Sequence, residues 1–236
     1  MIWFGLVTAL IAIACLPALL LPRRASCWVG REWSRFTLLG LAVIARLDYE
    51  VRGAIPDGPV LVASKHMSMW DTLALYLLLR DPAMILKREL LRVPFYGWYL
   101  KAAGSIAIDR KGAASALRKM SEQARKVIAE NRPVLIFPEG TRRPPGAAPD
   151  YKPGVAGLYG QLNVACVPVA LNSGLFWTGP GGFIKKRGRI VVEFLPSIPP
   201  GLRRAEFVSE LTAGIEQATA NLVGEGLALL KGKRAQ

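Results

Sequence analysis

One histidine, His66, serves the whole chain of 236 residues. Any acid–base chemistry near neutral pH that needs an imidazole therefore has a single address. Cysteine is almost as scarce: Cys15, Cys27 and Cys166 are odd in number and show no metal-ligand spacing. That pattern argues against a disulfide framework and points to a reducing compartment. Acidic residues are in deficit too, 17 against 31 Lys plus Arg, leaving a formal charge of +14. Such a surplus suits an anionic partner, whether nucleic acid, an acidic protein or a negatively charged lipid surface. The cations are scattered and no nucleic-acid-binding module accompanies them, so nucleic acid is not an expected partner. Internal repeats are absent. Ser64 and Ser68 lie near His66, but neither sits in the G-x-S-x-G elbow of a serine nucleophile.

Charge is also missing from residues 2–21, after which Pro22, Arg23 and Arg24 arrive together. That run just reaches the roughly 20 residues a helix needs to cross a bilayer core, although Pro17 interrupts it. No Lys or Arg precedes it and no convincing small-x-small cleavage site follows, which argues against the usual signal peptide. Arg23, Arg24, Arg31 and Arg35 follow the run and place the rest of the chain on the cytoplasmic face of the inner or cell membrane. A second apolar stretch, residues 36–45, is too short to span. It suits the membrane interface or, in the plainer reading, a buried core helix. Residues 1–47 are thus expected to form a membrane-anchoring helical segment, spanning or monotopic, ahead of a domain over 48–236. The hydrophobic fraction of 52% fits that division.

Beyond Arg46 short β-like runs alternate with helical ones. Strands are expected at 48–52, 60–63, 84–86, 105–108, 134–137, 164–171 and 190–195. Helices are expected at 72–79, 113–130 and 205–223, where apolar residues recur at helical spacing. This alternation predicts an α/β fold with a mixed, largely parallel sheet flanked by helices, and sites at the loops beyond the strand ends. Residues 142–154, rich in Pro, Gly and Ala, read as the one long loop.

His66 falls in Ser64-Lys65-His66-Met67-Ser68-Met69-Trp70-Asp71, between a strand and an apolar helix. On a regular helix, residues five apart point about 140° away from each other. They meet if His66 lies in the loop and Asp71 in the first helical turn. Asp71 then holds one ring nitrogen and leaves the other to take a proton from an alcohol. The bland alternative is a satisfied histidine beside an N-capping aspartate. Phe137-Pro138-Glu139-Gly140-Thr141-Arg142 leaves another strand with backbone N–H groups and a guanidinium, a combination suited to phosphate, though an ordinary turn looks the same. Lys87 and Arg110 add cations at further strand ends, and residues 167–172 read as a buried strand.

Taken together and in this order, the four stretches resemble the motifs of the glycerolipid acyltransferases. The first is similar to their His-x4-Asp motif, the third to Glu-Gly-Thr-Arg, and Tyr151-Lys152-Pro153-Gly154 to the aromatic-Lys-x-Gly segment after it. Lys65 stands where many members carry Asn. The resemblance spans about residues 48–200 and makes 48–236 an acyltransferase domain. It implies transfer of an acyl group from coenzyme A or acyl carrier protein thioester to the sn-2 hydroxyl of lysophosphatidic acid, giving phosphatidic acid for phospholipid biosynthesis. His66 and Asp71 would be catalytic. Lys87, Arg110, Glu139, Gly140, Thr141 and Arg142 would bind substrate, with no tightly bound cofactor and no metal. Two rivals share some of these features: an acyltransferase for another lysolipid, such as lyso-ornithine lipid, and a non-catalytic basic membrane-bound binding protein.

Overall fold

Seven short strands pair into one sheet in the computed structural model, which describes residues 2–109, 113–177 and 185–232. They are β1 (Leu47–Arg52), β2 (Leu61–Ser64), β3 (Ala83–Lys87), β4 (Ile106–Ile108), β5 (Val134–Ile136), β6 (Cys166–Leu171) and β7 (Gly188–Phe194). Their spatial order is β1-β7-β6-β2-β5-β3-β4. Neighbours are parallel except for the antiparallel β6–β7 pair. β2, which leads into His66, is therefore central: Leu61 faces Val134 of β5 on one side and Cys166 of β6 on the other. The chain leaves β2 toward β3 and later returns to its other side as β6. Open α/β sheets bind ligands beyond the strand carboxyl ends at such a reversal.

Side-chain alternation sends Leu61 and Ala63 to one face and Val62 to the other. Both faces are covered, so β2 to β6 are apolar almost throughout, whereas β1, at the sheet edge, alternates Asp48, Glu50 and Arg52 with apolar residues. One face carries α5 (Ala113–Ala129), α6 (Gly154–Leu162) and α7 (Arg204–Gly232), through Met120, Ala124, Leu158, Phe207, Leu211 and Ile215. The other carries α3 (Met69–Leu78) with Trp70, Leu73 and Leu75, and α2 (Arg23–Ile44) with Leu38.

All seven expected strands are present within a few residues, and 142–153 is a loop. Two helices escape the sequence pattern. α4 (Tyr96–Ala102) is a short helix after a left-handed residue, Phe95 at φ 60°. α6 contains Gly154, Gly157 and Gly160 and has poor intrinsic helix propensity. Packing overrides that: a Cβ at Gly157 would sit 2.8 Å from Leu117 of α5, so the glycine permits the close approach.

The uncharged N-terminal run is not one helix. α1 (Ile2–Ala14) ends before Pro17, which lies in a 3-10 turn over Leu16–Leu20. Its 13 residues reach about 20 Å, against roughly 30 Å of bilayer hydrocarbon. Among the described residues no helix is long and apolar enough to cross a membrane. α1 folds back along α2: Trp3 Nε1 donates to the Phe36 carbonyl (3.1 Å) and Trp33 Nε1 to Thr8 Oγ1 (3.0 Å). Residues 36–44 form the last turns of α2, in part the buried core helix of the plainer reading. Leu38 is buried in the core, while Phe36, Leu39, Val43 and Ile44 are exposed. At its other end α2 is clamped by Arg23, whose guanidinium meets both oxygens of Asp81 at 2.7 and 2.9 Å.

Candidate active site

His66 and Asp71 meet because a helix starts between them. Ser68 adopts extended backbone and caps α3, and Asp71 occupies the third helical position, closing a capping box. The carboxylate turns back over the loop. Its Oδ2 accepts the amides of Met67 (2.6 Å) and Ser68 (2.8 Å) and lies 3.0 Å from His66 Nδ1. Asp71 is fully buried, whereas the imidazole keeps about an eighth of its surface open. The bland and functional readings thus share one geometry, since the capping residue also orients the ring. With Nδ1 engaged, Nε2 is the ring nitrogen left to act as a base.

One further contact is to the ring itself, and others hold the turn that carries it. Phe137, at the end of β5, stacks on it with centroids 4.0 Å apart and planes inclined by 22°. The Arg143 amide donates to the His66 carbonyl (2.8 Å), tying the 142–153 loop to the turn that carries His66. Beneath, Lys65 Nζ bonds Glu139 Oε1 (2.9 Å) and Glu216 Oε1 on α7 (2.7 Å), and the Tyr151 hydroxyl donates to the same Glu216 oxygen. Burial pushes the Glu139 carboxyl above the usual carboxylate range, although Lys65 and the His66 amide pull it back.

A cleft of about 1110 Å³ opens in front of His66, and Lys87, Gly140, Thr141 and Arg142 line it. Lys87 arrives from the end of β3 and the other three from the turn after β5, so neighbouring strands deliver them to one mouth. Lys152 and Arg204, two cations outside the expected set, line it too. Glu139, expected among the substrate-binding residues, is not on the cleft wall. It is buried and spent on Lys65, and its neighbour Gly140, at φ 65°, turns the chain back toward the mouth. Arg110 lies outside the described residues. A second chamber of about 440 Å³, walled by α1, α2, α4 and the residues before α4, shares Phe4, Thr8, Trp33, Thr72, Met84 and Tyr96 with the cleft. Nothing in the sequence pattern announced that chamber, because its walls come from segments far apart in the chain.

A buried carboxylate orients a histidine beside cations at strand carboxyl ends, an arrangement chemically suited to base-catalysed group transfer on an α/β sheet. The Acyltransferase family model matches residues 46–172, over half of the chain, and the chain belongs to that family. It is 35% identical over 209 residues to the 1-acyl-sn-glycerol-3-phosphate acyltransferase of Pseudomonas aeruginosa, covering 87% of this chain and 81% of that one. It is 34% identical over 169 residues to the 1-acyl-sn-glycerol-3-phosphate acyltransferase alpha of Mus musculus, where it spans 59% of the relative's length. The crystal structure of PlsC, the 1-acyl-sn-glycerophosphate (LPA) acyltransferase of Thermotoga maritima, superposes with a TM-score of 0.77. That match covers 94% of this chain and 93% of the other at 21% identity, a likeness of fold.

Proposed function

We propose that this chain transfers an acyl group from a thioester, on coenzyme A or acyl carrier protein, to the sn-2 hydroxyl of 1-acylglycerol-3-phosphate. The product is phosphatidic acid, a precursor for phospholipid synthesis. The observation that carries the reading is the 3.0 Å contact of Asp71 with His66 Nδ1 at the edge of a cleft lined by Lys87 and Arg142. His66 Nε2 removes the hydroxyl proton as the oxygen attacks the thioester carbonyl. Asp71 stabilises the imidazolium, which then protonates the departing thiolate, so the base returns to its starting state. Lys87 and Arg142 hold the acceptor phosphate, Arg142 through its planar fork of donors and Lys87 as a point charge. The apolar chamber takes an acyl chain, because its walls are almost wholly hydrocarbon and aromatic. No tightly bound cofactor enters the scheme. The names of the relatives support the choice of acceptor.

In the same reading the N-terminal hairpin holds the enzyme on the cytoplasmic face of the membrane as a monotopic anchor. Its exposed apolar side chains include Leu6, Leu10, Ile13, Leu20, Leu21 and Trp28. Shallow burial of such a face, with cations nearby, suits an anionic leaflet. The decisive test pairs His66→Ala with an assay of lysophosphatidic acid and both thioester donors. Turnover falls by at least the roughly 10²–10⁴ of a lost acid–base group, with folding intact. A folded variant that keeps more than about a tenth of the parent rate would exclude His66 as the base.

A further inference from the structure

The Asp71 carboxylate has two oxygens, and its contact with His66 uses one. Oδ2 takes the ring nitrogen and two backbone amides. Oδ1 takes hydroxyls alone: Ser173 donates to it in a short hydrogen bond, and Ser68 Oγ lies 3.2 Å away. The two serine oxygens are 2.9 Å apart, which closes a triangle around Oδ1. Asp71, Ser68 and Ser173 are all buried to within 1%. Water therefore has no route to replace a missing donor.

Ser68 Oγ caps α3 by accepting the Trp70 amide at 3.2 Å, and its single proton is shared between Asp71 Oδ1 and Ser173 Oγ. Ser173 comes instead from beyond β6, more than a hundred residues along the chain. Its neighbours rivet it in place. Asn172 Oδ1 accepts the Val191 amide (2.9 Å), and Asn172 Nδ2 donates to the Leu222 carbonyl (3.0 Å), joining the turn to β7 and α7. Gly174 lets Pro145 and Met67 approach, for a Cβ there would stand 2.8 Å from Pro145 Cδ and 3.1 Å from Met67 Cβ. The turn is thus built to deliver one hydroxyl to one carboxylate oxygen.

We infer that Ser173 is a positioning residue for the acid–base pair, fixing the rotation of the Asp71 carboxylate and through it the tautomer of His66. Rotation about the Asp Cβ–Cγ bond has a broad well, and donors crowded on a single oxygen leave it soft. A donor on the second oxygen stops the pivot. His66 then keeps its proton on Nδ1 and presents Nε2 to the acceptor. Without Ser173, Oδ1 keeps only the longer contact from Ser68 Oγ, the carboxylate is freer to pivot, and the ring loses its preference. The inference rests on the catalytic role proposed for His66 above.

The test uses the full chain with 15N-labelled histidine, whose single copy gives one pair of ring-nitrogen signals. With the ring neutral, the parent shows a protonated Nδ1 and an unprotonated Nε2. Ser173→Ala shifts both signals toward the tautomer average. It lowers kcat with lysophosphatidic acid by at least about tenfold while KM stays within about twofold, as expected for loss of a hydrogen bond to a charged group. Ser173→Cys fills the site with a poor donor and behaves like the alanine variant if it is the one that folds. Unchanged ring-nitrogen shifts in either folded variant overturn the inference whatever the rate does, and so does unfolding of both. Lost tautomer preference in a protein that never acylates the lysolipid sinks the proposed reaction and leaves the role of Ser173 standing.

Discussion

Lys65 Nζ lies 2.9 Å from Glu139 Oε1, and both side chains are buried, at 2% and 0% exposure. Glu139 belongs to the segment resembling Glu-Gly-Thr-Arg, and Lys65 is the residue before His66. The pair therefore ties the turn carrying Arg142 to the turn carrying the base. Lys65 also reaches Glu216 of α7, so the C-terminal helix is part of the same fastening.

Replacing Lys65 with Met leaves the Glu139 carboxylate buried and unpaired. Breaking a buried pair in this way costs about 3–5 kcal/mol. The double variant Lys65→Met/Glu139→Gln recovers part of that cost, because no uncompensated charge remains on the inner side. Urea unfolding of the parent, the single and the double variant measures both. A single-variant loss under about 1 kcal/mol contradicts the buried pair.

Arg142→Ala separates phosphate recognition from catalysis. The efficiency ratio for lysophosphatidic acid over a phosphate-free analogue should fall, and Arg142→Lys should restore it only in part, since Lys lacks the planar fork. A charge-assisted contact is worth about 1.5–3 kcal/mol, which sets the drop at about tenfold or more. An unchanged ratio shows that Arg142 does not read the phosphate, and another lysolipid, such as lyso-ornithine lipid, then becomes the better acceptor.

Membrane attachment is best probed by substitution rather than deletion. Removing residues 1–47 would strip Leu38 and Leu47 from the core and leave Asp81 without Arg23. Leu6 and Leu10 are 55% and 66% exposed and line neither the cleft nor the chamber, so changing both to Glu spares the interior. Full burial of each contributes roughly 1.5–3 kcal/mol, and vesicle binding at high salt should weaken by at least tenfold. Equal sedimentation of parent and variant with anionic vesicles in high salt assigns the anchor elsewhere. Equal loss of both in high salt assigns it to the basic surface.

The Arg23–Asp81 clamp gives stability a pH signature. Burial pushes the Asp81 carboxyl up, but Arg23, Arg132 and the Cys27 thiol outweigh that and hold it below the usual carboxylate range. A depressed folded-state value contributes stability above the unfolded pKa of about 3.9, and that contribution disappears as pH falls through the folded value. The stability gap between parent and Asp81→Asn is therefore widest near neutrality and closes in acid. A gap constant from pH 7 to pH 3 is incompatible with the clamp as described.

Much of this protein is local in origin. The central strands were legible because each is a short apolar run bounded by turn residues, and β1 because Leu47, Tyr49 and Val51 alternate with charged residues. His66 stood out as the sole imidazole, and its meeting with Asp71 followed from a helix start between them, a relation within six residues. Lys87 and Arg142 were legible as cations at strand ends. Other features depended on contacts across the chain. α6 forms against its own glycine content because its apolar side is buried between α5 and α7. That Glu139 is paired with a buried Lys65 behind the cleft wall shows only once β2 lies beside β5. Ser173 carries no local mark at all, as its hydroxyl meets Asp71 only once β6 lies beside β2. Sequence pattern determines which residues can carry chemistry and which segments must be buried. Strand order alone decided which residues meet, because hydrogen bonds and ion pairs act over about 3 Å and have no memory of chain distance.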